Sequence, residues 1–223
     1  MEYIIQELDH RKAELDEYLD LIEFLNERGV ITNETGMQLT VSTLLLKTTK
    51  GSVYLLLYNL IEATMREAVV SIHDEISDSG STFDDLREQL QHKILYRAKR
   101  DKISLPNCIE GIEGDISLNL HQATLCSKDL FSGNIDRDEV RAVAEIYGFS
   151  HSTDYQATGH GRHLGEVKKN RNDLAHGNKM FSDIGENTSI EHIRALTNEV
   201  VSYIYEISDN IVDSLEGKRY LKD

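Results

Sequence analysis

Two side chains in this sequence have the types and the spacing to act together on a phosphodiester. Arg171 and His176 stand five residues apart in Arg171-Asn172-Asp173-Leu174-Ala175-His176, with Lys168, Lys169 and Asn170 just before and Gly177 and Asn178 just after. A guanidinium is a permanent cation whose planar fork matches two phosphate oxygens. A histidine titrates near ~6.5, so at neutral pH it can accept or give a proton. Together they suit RNA cleavage by the strand's own 2′-hydroxyl. The histidine takes the 2′-hydroxyl proton or supplies one to the departing 5′-oxygen, and the arginine stabilises the charge that builds up on phosphorus. The RNA provides its own nucleophile, so the chemistry calls for no metal and no cofactor. Asn172 can bind a phosphate oxygen or orient the histidine. Lys168, Lys169, Asn178 and Lys179 are candidates for holding RNA phosphates.

On an ideal helix positions 171 and 176 lie about 140° apart, flanking one face. Lys168 and Ala175 lie near the same side, and the small Ala175 lets a ligand approach. One histidine cannot readily act as acid and base on opposite sides of an in-line displacement. A second copy of the motif is therefore expected across a groove, as in a two-fold homodimer. A plainer reading stands beside this one. Helix ends favour Lys, Arg and His through the helix dipole, and Gly with Asn is an ordinary termination signal. In that case the motif should be buried or salt-bridged, with Asp173 or Glu166 as the acid.

The elements that position the motif read as helices. Among 223 residues there is one proline, Pro106, which favours an all-α chain. Ile4, Leu8, Leu15, Tyr18, Ile22 and Leu25 predict a helix over 1–28, closed by Gly29 and the polar run Thr32–Gly36. Leu57, Ile61, Met65, Ala68, Ile72 and Ile76 mark the inner face of a helical region over 37–78, which Gly51 is expected to divide. Thr82 is expected to cap a helix running to Lys102. Residues 103–116 read as loop and 117–130 as a short helix. Asp136 with Glu139 predicts a capping box for a helix ending near Tyr147-Gly148. Residues 149–161 read as loop, 162–176 as the motif helix, and 177–187 as loop. Thr188 with Glu191 predicts the cap of a last helix through Leu215. The whole reads as one domain over 1–223, with 1–30 a helical extension and 37–215 the core bundle.

Charge narrows the function classes. The net charge is −15, which argues against a long duplex-binding surface. Residues 160–180, however, hold five basic side chains (Arg162, Lys168, Lys169, Arg171, Lys179) and two acidic ones (Glu166, Asp173). This positive island on an acidic body can hold a few phosphates. His151, His160 and His163 lie in or before it without a fixed helical frame, and no metal site is expected of them; Arg162 or His163 is the more natural RNA contact. Cys108 and Cys126 form no metal-ligand pair and read as free thiols in a reducing, cytoplasmic setting. No apolar run reaches membrane-spanning length. Tyr203 and Tyr205 read as packing or a dimer seam. Asn59, Glu62, Arg66 and His73 form a polar stripe, read as a solvated helix face; the alternative has Glu62 facing the motif and orienting Arg171.

The string Lys168–Gly177 resembles the signature of the HEPN superfamily, an arginine followed four to six residues later by a histidine. Two further segments resemble a prokaryotic standalone branch of it: Leu57-Tyr58-Asn59-Leu60-Ile61-Glu62-Ala63-Thr64-Met65-Arg66, and Phe131-Ser132-Gly133-Asn134-Ile135-Asp136 leading through Val140-Arg141 to Tyr147-Gly148-Phe149. The resemblance implies an antiparallel helical bundle, here with additional N-terminal and connecting helices. It implies a dimeric, metal-independent endoribonuclease of the toxin–antitoxin or anti-phage type, with an antitoxin or defence-complex protein as partner. Arg171 and His176 match the family's catalytic pair, and Asn172 the polar residue after the arginine. Some such toxins carry a tyrosine two residues after the histidine, where a nucleotidyltransferase antitoxin modifies them. Here that position is Asn178, so control by that route is not expected. A second reading from another class is a non-catalytic helical module that binds RNA, a nucleotide or a protein partner.

Overall fold

The computed structural model describes residues 2–100, 121, 131 and 134–222. The expected loop over 103–116, the helix over 117–130 apart from residue 121, and both cysteines lie outside the described residues. Those described form eight α-helices and one small hairpin: α1 Glu2–Glu27, β1 Val30–Thr32, β2 Gln38–Thr40, α2 Thr43–Asp78, α3 Glu88–Arg100, α4 Arg137–Tyr147, α5 Tyr155–Thr158, α6 Leu164–Ala175, α7 Phe181–Glu186 and α8 Ile190–Glu216. The all-α expectation holds. No described helix is long and apolar enough to cross a membrane.

The long helix α2 is the centre of the packing. Ser42 caps it, its hydroxyl accepting from the Leu45 N–H at 3.1 Å. Its buried residues come in adjacent pairs, Val53-Tyr54, Leu57-Tyr58, Leu60-Ile61 and Ala68-Val69. Adjacent positions on a helix point about 100° apart, so a helix buried at both is enclosed on more than one side. Helices α1, α6, α7 and α8 supply that enclosure. Ile4, Leu8, Leu15, Leu19 and Ile22 of α1 belong to the same buried cluster as α2 and α8. Polar links fasten α1 as well: Arg194 reaches Asp20 and Glu23, and Arg11 donates to Asn59 Oδ1 at 2.8 Å.

Gly51 does not divide α2. It lies within one continuous 36-residue helix, at the crossing with α7. A Cβ on Gly51 would stand 2.2 Å from the Phe181 carbonyl oxygen, and one on Gly185 would stand 1.9 Å from that of Lys47. Each glycine lets the other helix's backbone approach. This crossing also explains a second departure, since α7 occupies part of the expected loop over 177–187. Its six residues hold because they dock on α2, not because of any amphipathic run long enough to announce a helix.

Other boundaries moved for local reasons. Thr82 closes a single 3-10 turn, Phe83–Asp85, and α3 begins only at Glu88. Between them Leu86 is extended and fully buried, its backbone bridged to Leu221. The last helix is capped by Ser189, one residue later than expected; its hydroxyl accepts from His192 N–H at 3.1 Å, while Thr188 donates to the Ile184 carbonyl. Within 149–161 the Asp154 carboxylate caps the short α5. The hairpin was not anticipated: three-residue strands show no alternation, and its turn rests on the Asn33 side chain, which accepts from the N–H groups of Thr35 and Met37.

Candidate functional site

Helix α6 carries the motif, and its buried stripe decides where each side chain goes. Leu164 and Val167 are buried and Leu174 packs against the core. Arg171 lies seven residues after Leu164 and three before Leu174, on that same stripe. The guanidinium is therefore directed toward α2 and not away from the protein. It lies over the Tyr58 ring, 4.2 Å from the centroid, and Nη2 is 3.4 Å from Glu62 Oε2. Nη1 donates to Asn172 Oδ1 at 2.8 Å. Glu62 is itself held more closely by Arg66, at 2.6 Å.

Asn172 extends the network by donating to Asn134 Oδ1 at 2.9 Å. Next to Asn134, the Ile135 N–H donates to the Tyr58 hydroxyl at 3.2 Å, and the Asp136 carboxylate pairs with Lys168. Burial pushes the Tyr58 phenol up, which keeps it neutral under the guanidinium. Although burial opposes it, the Lys168 ammonium and the Glu139 N–H hold the Asp136 carboxyl below its usual range. Asp136 thus serves both as the cap of α4, as expected, and as the anchor of Lys168. Residues from three distant stretches, 58–66, 134–136 and 168–172, meet around one guanidinium.

His176 sits differently. It is the last residue of the helix turn, with Gly177 following in the left-handed conformation at φ 69°. The Gly177 N–H bonds to Leu174 O at 3.2 Å and the Asn178 N–H to Asp173 O at 2.8 Å, the pattern of a Schellman cap. The expected stop at Gly177 is thus met by backbone groups alone. The His176 ring is exposed, and among the described residues no hydrogen bond or ion pair fixes it. The site therefore combines an immobilised cation with an open titratable group one and a half turns further along the helix.

The other expected residues are distributed as follows. Asp173 pairs with Lys179 at 3.4 Å, and Lys169 and Asn178 are exposed. The acid beside Arg171 is Glu62, whereas the plainer reading pointed to Asp173 or Glu166. Glu166 instead joins Tyr54 (2.8 Å), His192 (3.3 Å) and His163 (3.4 Å). Burial works against that carboxyl, yet the Tyr54 hydroxyl and the two imidazoles hold it below its usual range. His163 also faces Glu199, which binds Arg162, and His160 contacts the Thr153 hydroxyl at 3.1 Å. The polar stripe on α2 is not one solvated face. Asn59 meets α1, Glu62 meets Arg171, and His73 is buried against the Tyr147 hydroxyl at 2.7 Å. Burial, with Arg97 and Lys93 nearby, pushes His73 down to about 3, so it stays neutral.

The positive island changes most. Glu199, Asp136 and Glu62, all outside residues 160–180, pair with Arg162, Lys168 and Arg171. Three outside carboxylates offset the segment's excess of three positive charges. Tyr58, Asn134 and Asp136 were not assigned to the site from sequence. The signal was present, since all three fall in the two segments that accompany the motif in the family resemblance.

A family model described as HEPN_MAE_28990-like HEPN matches residues 1–220. No curated protein and no solved structure matches the chain.

Proposed function

Because the chain belongs to the MAE_28990-like HEPN family, whose wider superfamily is often ribonucleolytic, we propose that it is a metal-independent endoribonuclease of a prokaryotic toxin–antitoxin or anti-phage system. The observation that carries this reading is the pairing of a pre-fixed Arg171 with an open His176 on one helix. An arginine loses up to about 2 kcal/mol of rotamer freedom when immobilised. Here Tyr58, Glu62 and Asn172 impose that loss before any RNA arrives, so the fork is preorganised for a phosphate. The contact to Glu62 is long, and Arg66 holds that carboxylate more closely, so a phosphate can replace it.

In the proposed reaction the 2′-oxygen attacks the adjacent phosphorus, giving up its proton to one imidazole. The bond to the 5′-oxygen breaks, and that oxygen takes a proton from a second imidazole. The products are a 2′,3′-cyclic phosphate and a 5′-hydroxyl. Arg171 stabilises the phosphorane-like charge, and Asn172 binds a phosphate oxygen. The second imidazole is His176 of another copy, which makes the site composite and the active species a homodimer. Lys169, Asn178 and, on release from their carboxylates, Lys168 and Lys179 contact flanking phosphates.

Glu62 is a positioning residue in this scheme. Glu62→Gln is expected to lower cleavage at saturating RNA by about tenfold through a misplaced guanidinium. The melting temperature should hardly move, because a part-exposed pair is worth about 0–1 kcal/mol. Unchanged turnover would show that Glu62 does not orient Arg171.

One observation favours a second reading, a binding module without turnover. Four of the five cations around the motif are already matched by carboxylates, which lowers the attraction for bulk RNA. Growth separates the two. Induced expression in bacteria should arrest growth if the protein is a nuclease, and His176→Ala should relieve the arrest. A harmless wild type that copurifies with a stable partner would favour the module.

A further inference from the structure

A group of cations without salt bridges gathers at a second place. Arg87, Lys218, Arg219 and Lys222 line one cavity of about 530 Å³, between the start of α3 and the segment following α8, and Glu88 is the only acid in its wall. Among the described residues none of the four forms a salt bridge, in contrast to the cations around the motif. Of the nearby carboxylates, Glu88 lies 3.8 Å from His92, and Asp85 accepts from the Thr82 N–H and hydroxyl at 2.8 Å while also feeling the Lys222 charge. In a chain of net charge −15, four cations share this concave surface with no salt bridge among the described residues and only the Asp85 carboxylate acting on Lys222 from nearby, so positive charge is left over for an anion from outside.

The backbone holds this surface in shape. The Arg87 N–H donates to Tyr220 O at 3.1 Å, and the Lys222 N–H to Asp85 O at 2.8 Å, on either side of the Leu86–Leu221 bridge. Lys222 Nζ is steered by the Asp84 carbonyl at 2.6 Å, and Arg87 Nε by Gln89 at 3.3 Å. A Cβ added at Gly148 would stand 2.2 Å from Arg87 Nη1, so the guanidinium rests against that backbone. Lys218 adopts a left-handed backbone at φ 48°, where a glycine would be less strained, yet the position carries a cation. The wall offers one apolar side chain, Leu221, and no aromatic ring. The cavity thus suits a strongly charged group and not a flat apolar one.

We propose that this cavity binds a group of adjacent phosphates, on a polyphosphorylated small molecule or on an RNA strand, independently of Arg171 and His176. The test uses the full chain and inorganic tripolyphosphate. Calorimetry should show saturable binding that weakens with salt, stronger than for orthophosphate. The double substitution Arg87→Gln with Arg219→Gln should weaken it by about tenfold or more, since each removes a charge-assisted donor pair. Lys218→Gln, on an exposed side chain, should weaken it in the same direction even if the double variant folds poorly. In the Arg171→Ala background, which removes the phosphate fork of the motif, tripolyphosphate binding should persist and should still weaken on the Arg87→Gln with Arg219→Gln substitution. Fluorescence anisotropy with a labelled single-stranded RNA distinguishes the sources. If RNA retention falls in the cavity variants, the phosphates belong to RNA; if only tripolyphosphate binding falls, they belong to a small ligand. Equal affinities of parent and cavity variants for both probes would overturn the proposal, as would loss of tripolyphosphate binding in Arg171→Ala alone.

Discussion

His176→Ala is expected to slow RNA cleavage by about three orders of magnitude, and Arg171→Ala by a comparable factor. The two losses have different origins. His176 is exposed, and its helix end is closed by backbone bonds through Gly177, so the alanine variant should fold and melt as the parent does. Its loss is purely one of proton transfer. Arg171→Ala also gives up the contact over Tyr58, a cation–π interaction worth about 1–2 kcal/mol at a partly desolvated site, and should melt slightly lower. Arg171→Lys keeps the charge but not the fork, and should recover only a small part of the rate. The double variant should be little slower than either single one, because the two groups act on one transition state. Single-turnover rates, with melting curves on the same preparations, check each statement. A His176→Ala protein that cuts as fast as its parent would remove the histidine from the chemistry.

The second large effect concerns the fold behind the motif. Gly185→Ala places a carbon where the Lys47 carbonyl oxygen would lie 1.9 Å away. The atoms it would meet, the Lys47 carbonyl and the Gly51 nitrogen, are all backbone, so relief requires α7 to lift from α2. The expected cost is about 1–3 kcal/mol, as for other overpacked interiors, and a fall in melting temperature of roughly 2–12 °C for a chain of this size. Thermal unfolding followed by circular dichroism reads it directly. A shift of less than about 1 °C would mean that the two helices are not so closely apposed. Because α7 follows the motif after a short turn, cleavage should also weaken below the melting transition, through a less rigid end of α6.

What could be read from sequence follows a physical rule. Features set by neighbours in the chain were legible: the Asp136 cap, the Gly177 stop, and the periodic faces of α1 and α8. Features set by contacts across the fold were not. A glycine that ends a helix and a glycine that admits another backbone look alike in a string, so Gly51 read as a break. Helix α7 is too short to show a period. The island over 160–180 looked positive because its acids, Glu62, Asp136 and Glu199, lie 32 or more positions away from their partners Arg171 and Lys168, or 37 away from Arg162. The carboxylate beside Arg171 was legible in part: the stripe on α2 reads as a solvated face, but its alternative reading turned Glu62 toward the motif. Tyr58 and Asn134 gave no sign in composition or spacing, and only the resemblance of their segments pointed to them.

The chemical identity of the RNA ends tests the central claim most directly. Purified protein incubated with single-stranded RNA in EDTA should release fragments with 2′,3′-cyclic phosphate and 5′-hydroxyl ends, and the His176→Ala protein should release almost none. Fragments with 5′-phosphate ends, or the same cyclic ends at equal yield from the His176→Ala protein, would contradict the account.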